Sequence, residues 1–178
     1  MQARSKTKTK KAKTKVRVKS KARTNAAPAK PAGKVEEIWR LKIRLVRGIG
    51  ARGPWEATVD MRPSTNLLAV HRIIQNLVEF SDEHLFTFFI AASARARDRT
   101  LLEDERQNAR LDLLLEEIFP LAKGKKLFYW FDFGDNWHFS ITRAANPKVA
   151  AKGLRYPQVI ATHGETPKQY PGMDDDLE

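Results

Sequence analysis

The segment Phe128-Tyr-Trp-Phe-Asp-Phe-Gly-Asp-Asn-Trp-His-Phe-Ser-Ile141 decides the fold, because it concentrates the aromatic residues of the chain. Seven of its fourteen residues are aromatic, whereas aromatic residues make up only 9% of the whole sequence. Two apolar runs flank Gly134, Asp135 and Asn136, which are residue types that tolerate the positive φ of tight turns. The segment therefore predicts a β-hairpin whose strands meet at Phe133 and Trp137.

Side-chain alternation gives each strand of this hairpin two faces. On the first strand one face carries Tyr129, Phe131 and Phe133, and the other carries Phe128, Trp130 and Asp132. Rings on both faces are typical of a strand in the middle of a sheet, so the first strand is predicted to be central. On the second strand the apolar face is Trp137, Phe139 and Ile141, and the polar face is His138, Ser140 and Thr142. The second strand is therefore predicted to have one solvated face.

The string Tyr129-x-x-Asp132-Phe-Gly-Asp-x-Trp137 resembles the signature of the plasmid pRi ORF-three-like family, passenger proteins of plasmids and insertion elements. The resemblance extends from about residue 38 to about residue 172, and the pattern Asp82-x-His84-Leu-Phe also fits it. It implies a fold and a mobile-element context rather than a mechanism, because the family has no settled activity.

The chain before the hairpin predicts two strands and a helix. Residues 36–46 alternate apolar and polar side chains, which indicates a half-buried strand with a basic stripe of Arg40, Lys42 and Arg44. Residues 48–53 formally match the dinucleotide pattern G-x-G-x-x-G, but an alternating segment follows them instead of a helix. They are therefore interpreted as a hairpin connection to a second strand at 55–61. A helix is predicted from residue 67 to about residue 80, with Ser64 or Thr65 as its N-cap.

The remaining segments complete the predicted domain. A third strand is predicted at residues 84–92, and the mixed charges of 94–108 indicate a short helix or a surface connection. Leucines at helical spacing predict a second helix at 111–121, and the prolines and glycines after residue 143 predict loops. The prediction is an α+β domain over residues 35–172, with an antiparallel or mixed sheet of about five strands and two main helices on one face.

The net charge of +12 is concentrated at the N-terminus. Residues 1–34 hold thirteen Lys and Arg and no acidic residue, which leaves 20 basic against 21 acidic residues in the rest of the chain. Such a composition cannot bury enough apolar area to offset the entropy of ordering, so residues 1–34 are predicted to be a disordered Lys-rich arm. Residues 173–178 form an acidic tail.

The arm is expected to bind DNA or RNA by neutralising phosphates. Its expected contact residues are Lys6, Lys8, Lys10, Lys11, Lys13, Lys15, Arg17, Lys19, Lys21 and Arg23. Because the arm has no aromatic side chain and no rigid scaffold to read bases, this binding is expected to be non-specific. A solubilising tail, or contact with an anionic membrane surface, would fit the same charge pattern.

Several classes of site are not indicated. The chain has no cysteine, so it has no disulfide and no thiolate metal site. No apolar run approaches the roughly 20 residues of a spanning helix, and the N-terminus has no apolar signal-peptide core. A cytoplasmic protein without a membrane span is therefore expected. If the arm binds DNA, the protein is expected at the nucleoid. No motif points to a cofactor or to a small-molecule substrate.

Asp132, Asp135 and His138 are the candidate catalytic residues, and His84 and His163 could join them in space. Two carboxylates with a histidine could hold a divalent metal ion for hydrolysis. An aspartate at a hairpin turn also commonly accepts backbone N–H groups, so a structural role is the favoured interpretation and no metal is predicted.

The leading hypothesis is a nucleic-acid-associated accessory or adaptor protein, in the mobile-element context that the resemblance implies. One alternative is a metal-dependent hydrolase that uses Asp132, Asp135 and His138. A protein-interaction module with an incidental basic tail is the other.

Overall fold

The computed structural model describes residues 36–103 and 108–171. The predictions of a disordered arm at residues 1–34 and of an acidic tail at residues 173–178 lie outside the described residues.

The described chain forms one sheet of eight strands with two helices. In chain order the elements are β1 Glu37–Arg47, β2 Glu56–Met61, α1 Leu67–Val78, β3 Phe86–Ala91, β4 Arg99–Leu101, α2 Leu115–Ile118, β5 Lys126–Phe131, β6 Trp137–Arg143, β7 Lys148–Val149 and β8 Gln158–His163. The strand order is β4-β3-β5-β6-β1-β2-β8, and β7 pairs with β1. Each of these strand pairs is antiparallel.

The predicted hairpin is β5 and β6, and the prediction that β5 is central is confirmed, because β5 lies between β3 and β6. The strands close at the pair Phe131 and Trp137 rather than at Phe133. The predicted solvated face of β6 is wrong: His138 and Ser140 are both buried. The His138 ring stacks on Trp130 across the strand pair, with ring centroids 5.2 Å apart.

The turn of this hairpin reverses the predicted side-chain alternation. Asp132 adopts the left-handed conformation with φ of 50°, and Asn136 adopts it with φ of 59°. Phe133 then packs against Trp130, with ring centroids 4.4 Å apart, instead of continuing the face of Phe131. A ring that was predicted to be buried is consequently exposed beside the turn.

One face of the sheet carries the main hydrophobic core. Helix α1 packs on that face through Leu67, Val70, Ile74 and Val78, which are fully or almost fully buried. Its N-cap is Asn66 rather than the predicted Ser64 or Thr65, and the Asn66 Oδ1 atom accepts a hydrogen bond of 3.0 Å from the Ala69 amide.

The predicted α+β fold with two main helices is wrong, because the chain is sheet-rich and its second helix, α2, has four residues. Residues 111–114, directly before α2, pair with the residues at the start of α1. The carbonyls of Leu111 and Leu113 accept hydrogen bonds from the amides of Leu68 and Leu67, and Asn66 and Leu114 form a β-bridge. Leu111 and Leu113 therefore follow the period of two of an extended chain, and α2 begins at Leu115.

The sheet is also larger than the predicted five strands. The segment predicted as loops after residue 143 contains β8, which pairs with β2 at an edge of the sheet, and the two-residue β7. Residues 99–101, within the segment predicted as a short helix or a connection, form the short edge strand β4 against β3.

The glycine-rich segment connects β1 to β2 as a hairpin, as predicted, and a strand follows it. A Cβ atom on Gly48 would lie 2.0 Å from the Trp137 Cε3 atom, and one on Gly50 would lie 2.6 Å from the Lys168 carbonyl oxygen. The first two glycines are thus needed for close packing, which is unrelated to the phosphate contact of a dinucleotide loop.

Candidate functional site

The structure separates the three predicted catalytic residues. The Asp132 Oδ1 atom accepts hydrogen bonds from the amides of Gly134 and Asp135 at 3.1 and 3.2 Å, so this carboxylate holds the hairpin turn. His138 instead lies in the aromatic cluster around Trp130, and its Nδ1 atom is 3.0 Å from the Asn136 carbonyl oxygen. Because a carbonyl can only accept, this geometry places a proton on Nδ1.

Within residues 36–103 and 108–171, no group of three His, Asp or Glu side chains is arranged to hold a metal ion. The Asp135 carbonyl accepts a hydrogen bond of 3.0 Å from the Ile49 amide, which ties the hairpin turn to the loop between β1 and β2. The ligand set of the hydrolase hypothesis is therefore not assembled in this part of the chain.

His84 does approach Asp132, but through a different set of contacts. The His84 Nδ1 atom lies 3.5 Å from Asp132 Oδ2, and its Nε2 atom lies 2.7 Å from the Tyr170 hydroxyl. The neighbouring Gln169 accepts a hydrogen bond of 2.6 Å from the Ser81 amide. Burial raises the pKa of Tyr170, and the charges of Asp132, Asp135 and Glu83 raise it further. A phenol in that setting keeps its proton, so these contacts anchor the C-terminal segment rather than activate a nucleophile.

Another imidazole, that of His71 in α1, is buried in the core. The His71 Nε2 atom is 2.9 Å from Asp82 Oδ1, its Nδ1 atom is 2.7 Å from the Tyr129 hydroxyl, and Gln75 donates to the same hydroxyl at 2.7 Å. Burial lowers the pKa of His71, although Asp82 opposes the shift. A neutral His71 donates from Nε2 to Asp82 and accepts at Nδ1 from Tyr129. His71 is therefore a packed imidazole whose two ring nitrogens both have hydrogen-bond partners.

The basic residues of the β1 stripe are paired with carboxylates of β2. Arg40 donates two hydrogen bonds to Asp60, at 2.6 and 2.8 Å. Lys42 and Arg44 both pair with Glu56, at 3.1 and 2.8 Å. The hydrogen bond from Arg44 and then that from Lys42 lower the pKa of Glu56. All three cations are paired, and the two carboxylates compensate most of the positive charge of this stripe.

A cleft of about 510 Å³ lies on the sheet face opposite to α1. Four arginines line it, together with Trp130 and His138, and we call it the arginine cleft. The arginines are Arg47 at the end of β1, Arg95 and Arg97 in the loop after β3, and Arg99 at the start of β4.

Aromatic rings form the floor of the arginine cleft. The Arg99 guanidinium lies 4.9 Å from the Trp130 ring centroid and 5.5 Å from that of Phe89. Phe89 in turn stacks on Phe128 at 5.1 Å, and Trp130 stacks on His138. The floor is rigid because these side chains come from the adjacent strands β3, β5 and β6.

The loop after β3 has a local pattern that builds this surface. Ala94 and Ala96 pack against the aromatic cluster of Phe89 and Phe128, whereas the intervening Arg95 and Arg97 are exposed. Asp98 is the only acidic residue of residues 94–99, and it pairs with Lys125 at 3.0 Å. Alternation of a small apolar residue with arginine thus places the guanidinium groups on the outside of one short loop.

Among the described residues, none of the four arginines of the cleft forms an ion pair with a carboxylate. The charge of these arginines affects His138 inside the cleft. Burial lowers the pKa of His138 most, and the positive charges of Arg47 and Arg99 lower it further. His138 is therefore neutral near pH 7, and the positive charge of the cleft belongs to the arginines. Such a cleft attracts anions.

Comparison with known proteins completes the description of the site. The model of the plasmid pRiA4b ORF-3-like protein family matches residues 37–172. The chain belongs to the plasmid pRiA4b ORF-3-like family. The predicted family resemblance is therefore confirmed. A search of curated proteins finds no significant match.

The plasmid pRiA4b ORF-3-like fold also occurs in a solved structure, the crystal structure of a protein of unknown function from Methanosarcina mazei Go1. The two chains are 22% identical with a TM-score of 0.56, and the match covers 72% of this chain and 70% of that chain. At this identity the likeness shows the fold alone. No helix in the described part of this family member is long and apolar enough to cross a membrane.

Sequence reasoning missed the arginine cleft. The mixed charges of residues 94–108 were interpreted as a short helix or a surface connection, and they were not joined to Arg47 or Trp130. The available signal was the spacing Arg95, Arg97 and Arg99 directly after an aromatic strand. Residues 92–98 form turns and bends, in which Ala94 and Ala96 face the core and the arginines face outward.

Proposed function

We propose that this plasmid pRiA4b ORF-3-like protein is a nucleic-acid-associated accessory protein, and that its folded domain binds phosphates in the arginine cleft. The observation that carries the proposal is the set of four arginines that line one cleft without a carboxylate partner among the described residues.

Unpaired arginines favour phosphate for a physical reason. A guanidinium group presents a planar set of donors that matches two phosphate oxygens, and it stays charged at any physiological pH. Arg40 and Arg44 of β1 show the contrast, since they already bind carboxylates of β2. Four free guanidinium groups around one cleft can be neutralised together by the regular charges of a nucleic-acid backbone.

The Lys-rich arm, outside the described residues, is proposed to add non-specific affinity. Its ten expected contact residues outnumber the arginines of the cleft. Each phosphate contact on duplex DNA contributes about 0.9 to the slope of log affinity against log salt. The arm therefore sets most of the salt dependence, whereas the cleft fixes where the folded domain meets the backbone.

Three full-length variants test the proposal, with DNA and RNA as ligands over a series of salt concentrations. The first replaces the ten arm residues with Gln, and the second carries R95Q, R97Q and R99Q. The third is a matched control, K123Q, K152Q and R155Q, which removes the same charge from exposed positions outside the cleft. We expect the arm variant to lose most of the salt slope, the cleft variant to lose about tenfold in affinity, and the control to bind as the wild type does.

Two results would contradict the proposal. If the wild type binds neither DNA nor RNA, the nucleic-acid function is wrong. If the cleft variant binds as well as its charge-matched control, the arginine cleft is not the contact surface and the arm acts alone.

A further inference from the structure

We infer that the arginine cleft and the adjoining ring of Phe133 form a site for an unpaired nucleotide of a single-stranded nucleic acid. The phosphate would lie on the arginines, and the base would stack on the outer face of Phe133. This inference rests on the proposed function and adds which form of nucleic acid the domain selects.

The position of the Phe133 ring is set by the β5–β6 turn and not by packing in the core. The left-handed conformation of Asp132 turns the Phe133 ring toward Trp130, which lines the arginine cleft. Phe133 is 42% exposed. Its ring lies against Trp130 at an interplanar angle of 44°, and part of the ring is open to solvent. Exposure of this apolar ring to water is unfavourable. Among the described residues, the Phe133 ring has only one aromatic contact, which is Trp130.

The proposed phosphate and base subsites are adjacent, because Arg99 and Phe133, which form them, both contact the Trp130 indole. Arg99 lies over Trp130 at 4.9 Å, and Phe133 lies against Trp130 at 4.4 Å. A nucleotide likewise carries a charged phosphate and a planar base joined by one sugar. The Trp130 ring thus connects a guanidinium group and an exposed ring within the reach of a single nucleotide.

Such a pair of subsites favours a single strand over a duplex. The bases of a duplex are stacked inside it and offer no face to an exposed ring, whereas an unpaired base can leave its stack and lie on an aromatic side chain. Stacking tolerates any base, because every base has a flat π face. The site is therefore expected to prefer single strands with little preference for sequence.

The test compares three ligands of equal length, about ten nucleotides: single-stranded oligothymidylate, a duplex, and an abasic strand that keeps the phosphates and lacks the bases. Full-length wild type and F133L are titrated with each ligand. Leucine keeps an apolar cover over Trp130 and removes the ring. The matched control is Y170L, which removes another exposed ring that does not line the cleft.

We expect F133L to lose about tenfold in affinity for the thymidylate strand and to bind the duplex and the abasic strand as the wild type does. Y170L should bind all three ligands as the wild type does. Thermal unfolding of each variant checks that the fold is kept. The fluorescence of Trp130 gives a direct readout, because the other three tryptophans are buried; quenching by the single strand should disappear in W130F.

The outcomes separate this inference from the proposed function. If F133L binds the thymidylate strand as the wild type does, or if the abasic strand binds the wild type as tightly as the thymidylate strand, base stacking is wrong while phosphate binding stands. If the wild type binds none of the three ligands, both proposals are wrong.

Discussion

Gly48 and Gly53 lie in the same loop between β1 and β2, yet only Gly48 lacks room for a side chain. A methyl group on Gly48 would meet the buried Trp137 ring 2.0 Å away, whereas one on Gly53 would have no atom within 4 Å. We expect Gly48→Ala to destabilise the protein by about 1–3 kcal/mol or more, and Gly53→Ala to be neutral or slightly stabilising. Urea unfolding of both variants checks this, and equal stabilities would contradict the packing role of Gly48.

Tyr129 is a single residue whose hydroxyl serves two partners. It donates to His71 and accepts from Gln75, both at 2.7 Å, in a site closed to solvent. Tyr129→Phe keeps the ring but leaves the His71 Nδ1 atom and the Gln75 amide without this partner. We expect a loss of about 1–3 kcal/mol in the free energy of unfolding, measured by chemical denaturation. An unchanged stability would show that the two partners find other hydrogen bonds.

At the scale of the element, the β5–β6 turn depends on Asp132 and not on Asp135. Asp132 accepts two backbone hydrogen bonds and holds a positive φ, whereas the Asp135 carboxylate makes no hydrogen bond among the described residues. Asp132→Ala is expected to cost about 1–3 kcal/mol, and Asp132→Asn much less. Asp135→Ala is the matched control and should stay within about 0.5 kcal/mol of the wild type. If Asp135→Ala destabilises the fold as much as Asp132→Ala does, this account of the turn is wrong.

Elements with a strong side-chain period could be predicted from the sequence, and elements defined by their partners could not. The strands β1, β2 and β6 follow from alternation, β3 and β5 from runs of apolar and aromatic residues, and the helix α1 from helical spacing. The leucines of 111–115 fit both periods, and pairing with the start of α1 selects the extended one. Edge strand β8 was missed because Val159 and Ile160 are both exposed and its neighbours give no alternation.

The candidate site was harder to predict for the same reason. The arginine cleft joins the end of β1, the loop after β3 and the middle of β5, which are far apart in sequence. The exposed position of Phe133 depends on one backbone angle at Asp132, which the residue type allows but does not impose. The charge of the N-terminal arm therefore suggested nucleic-acid binding, but only the fold brings Arg99, Trp130 and Phe133 together.

At the scale of the whole molecule, the stability of the fold depends on pH, because the imidazoles of His71 and His138 are both buried. Burial lowers the pKa of each below its usual 6.5, so the unfolded chain takes up protons that the folded chain does not. Stability is therefore fully present above pH 6.5 and is lost as the pH falls through the folded pKa values. One such proton gives a limiting slope of about 1.4 kcal/mol per pH unit.

Urea unfolding between about pH 7 and pH 5 measures this linkage. We expect the free energy of unfolding to fall with pH in the wild type, and to fall less steeply in His71→Gln, which removes one of the two groups. A variant with the wild-type slope would contradict the buried, neutral state of His71.

The contact between Gly48 and Trp137 also limits how the family can diverge. The β1–β2 loop can approach the hairpin only while position 48 has no side chain, and that need exists only while position 137 carries a large ring. A relative with a smaller residue at 137 is free to gain a side chain at 48, whereas a change at 48 alone would be selected against. These two positions, far apart in sequence, are therefore expected to change together during evolution.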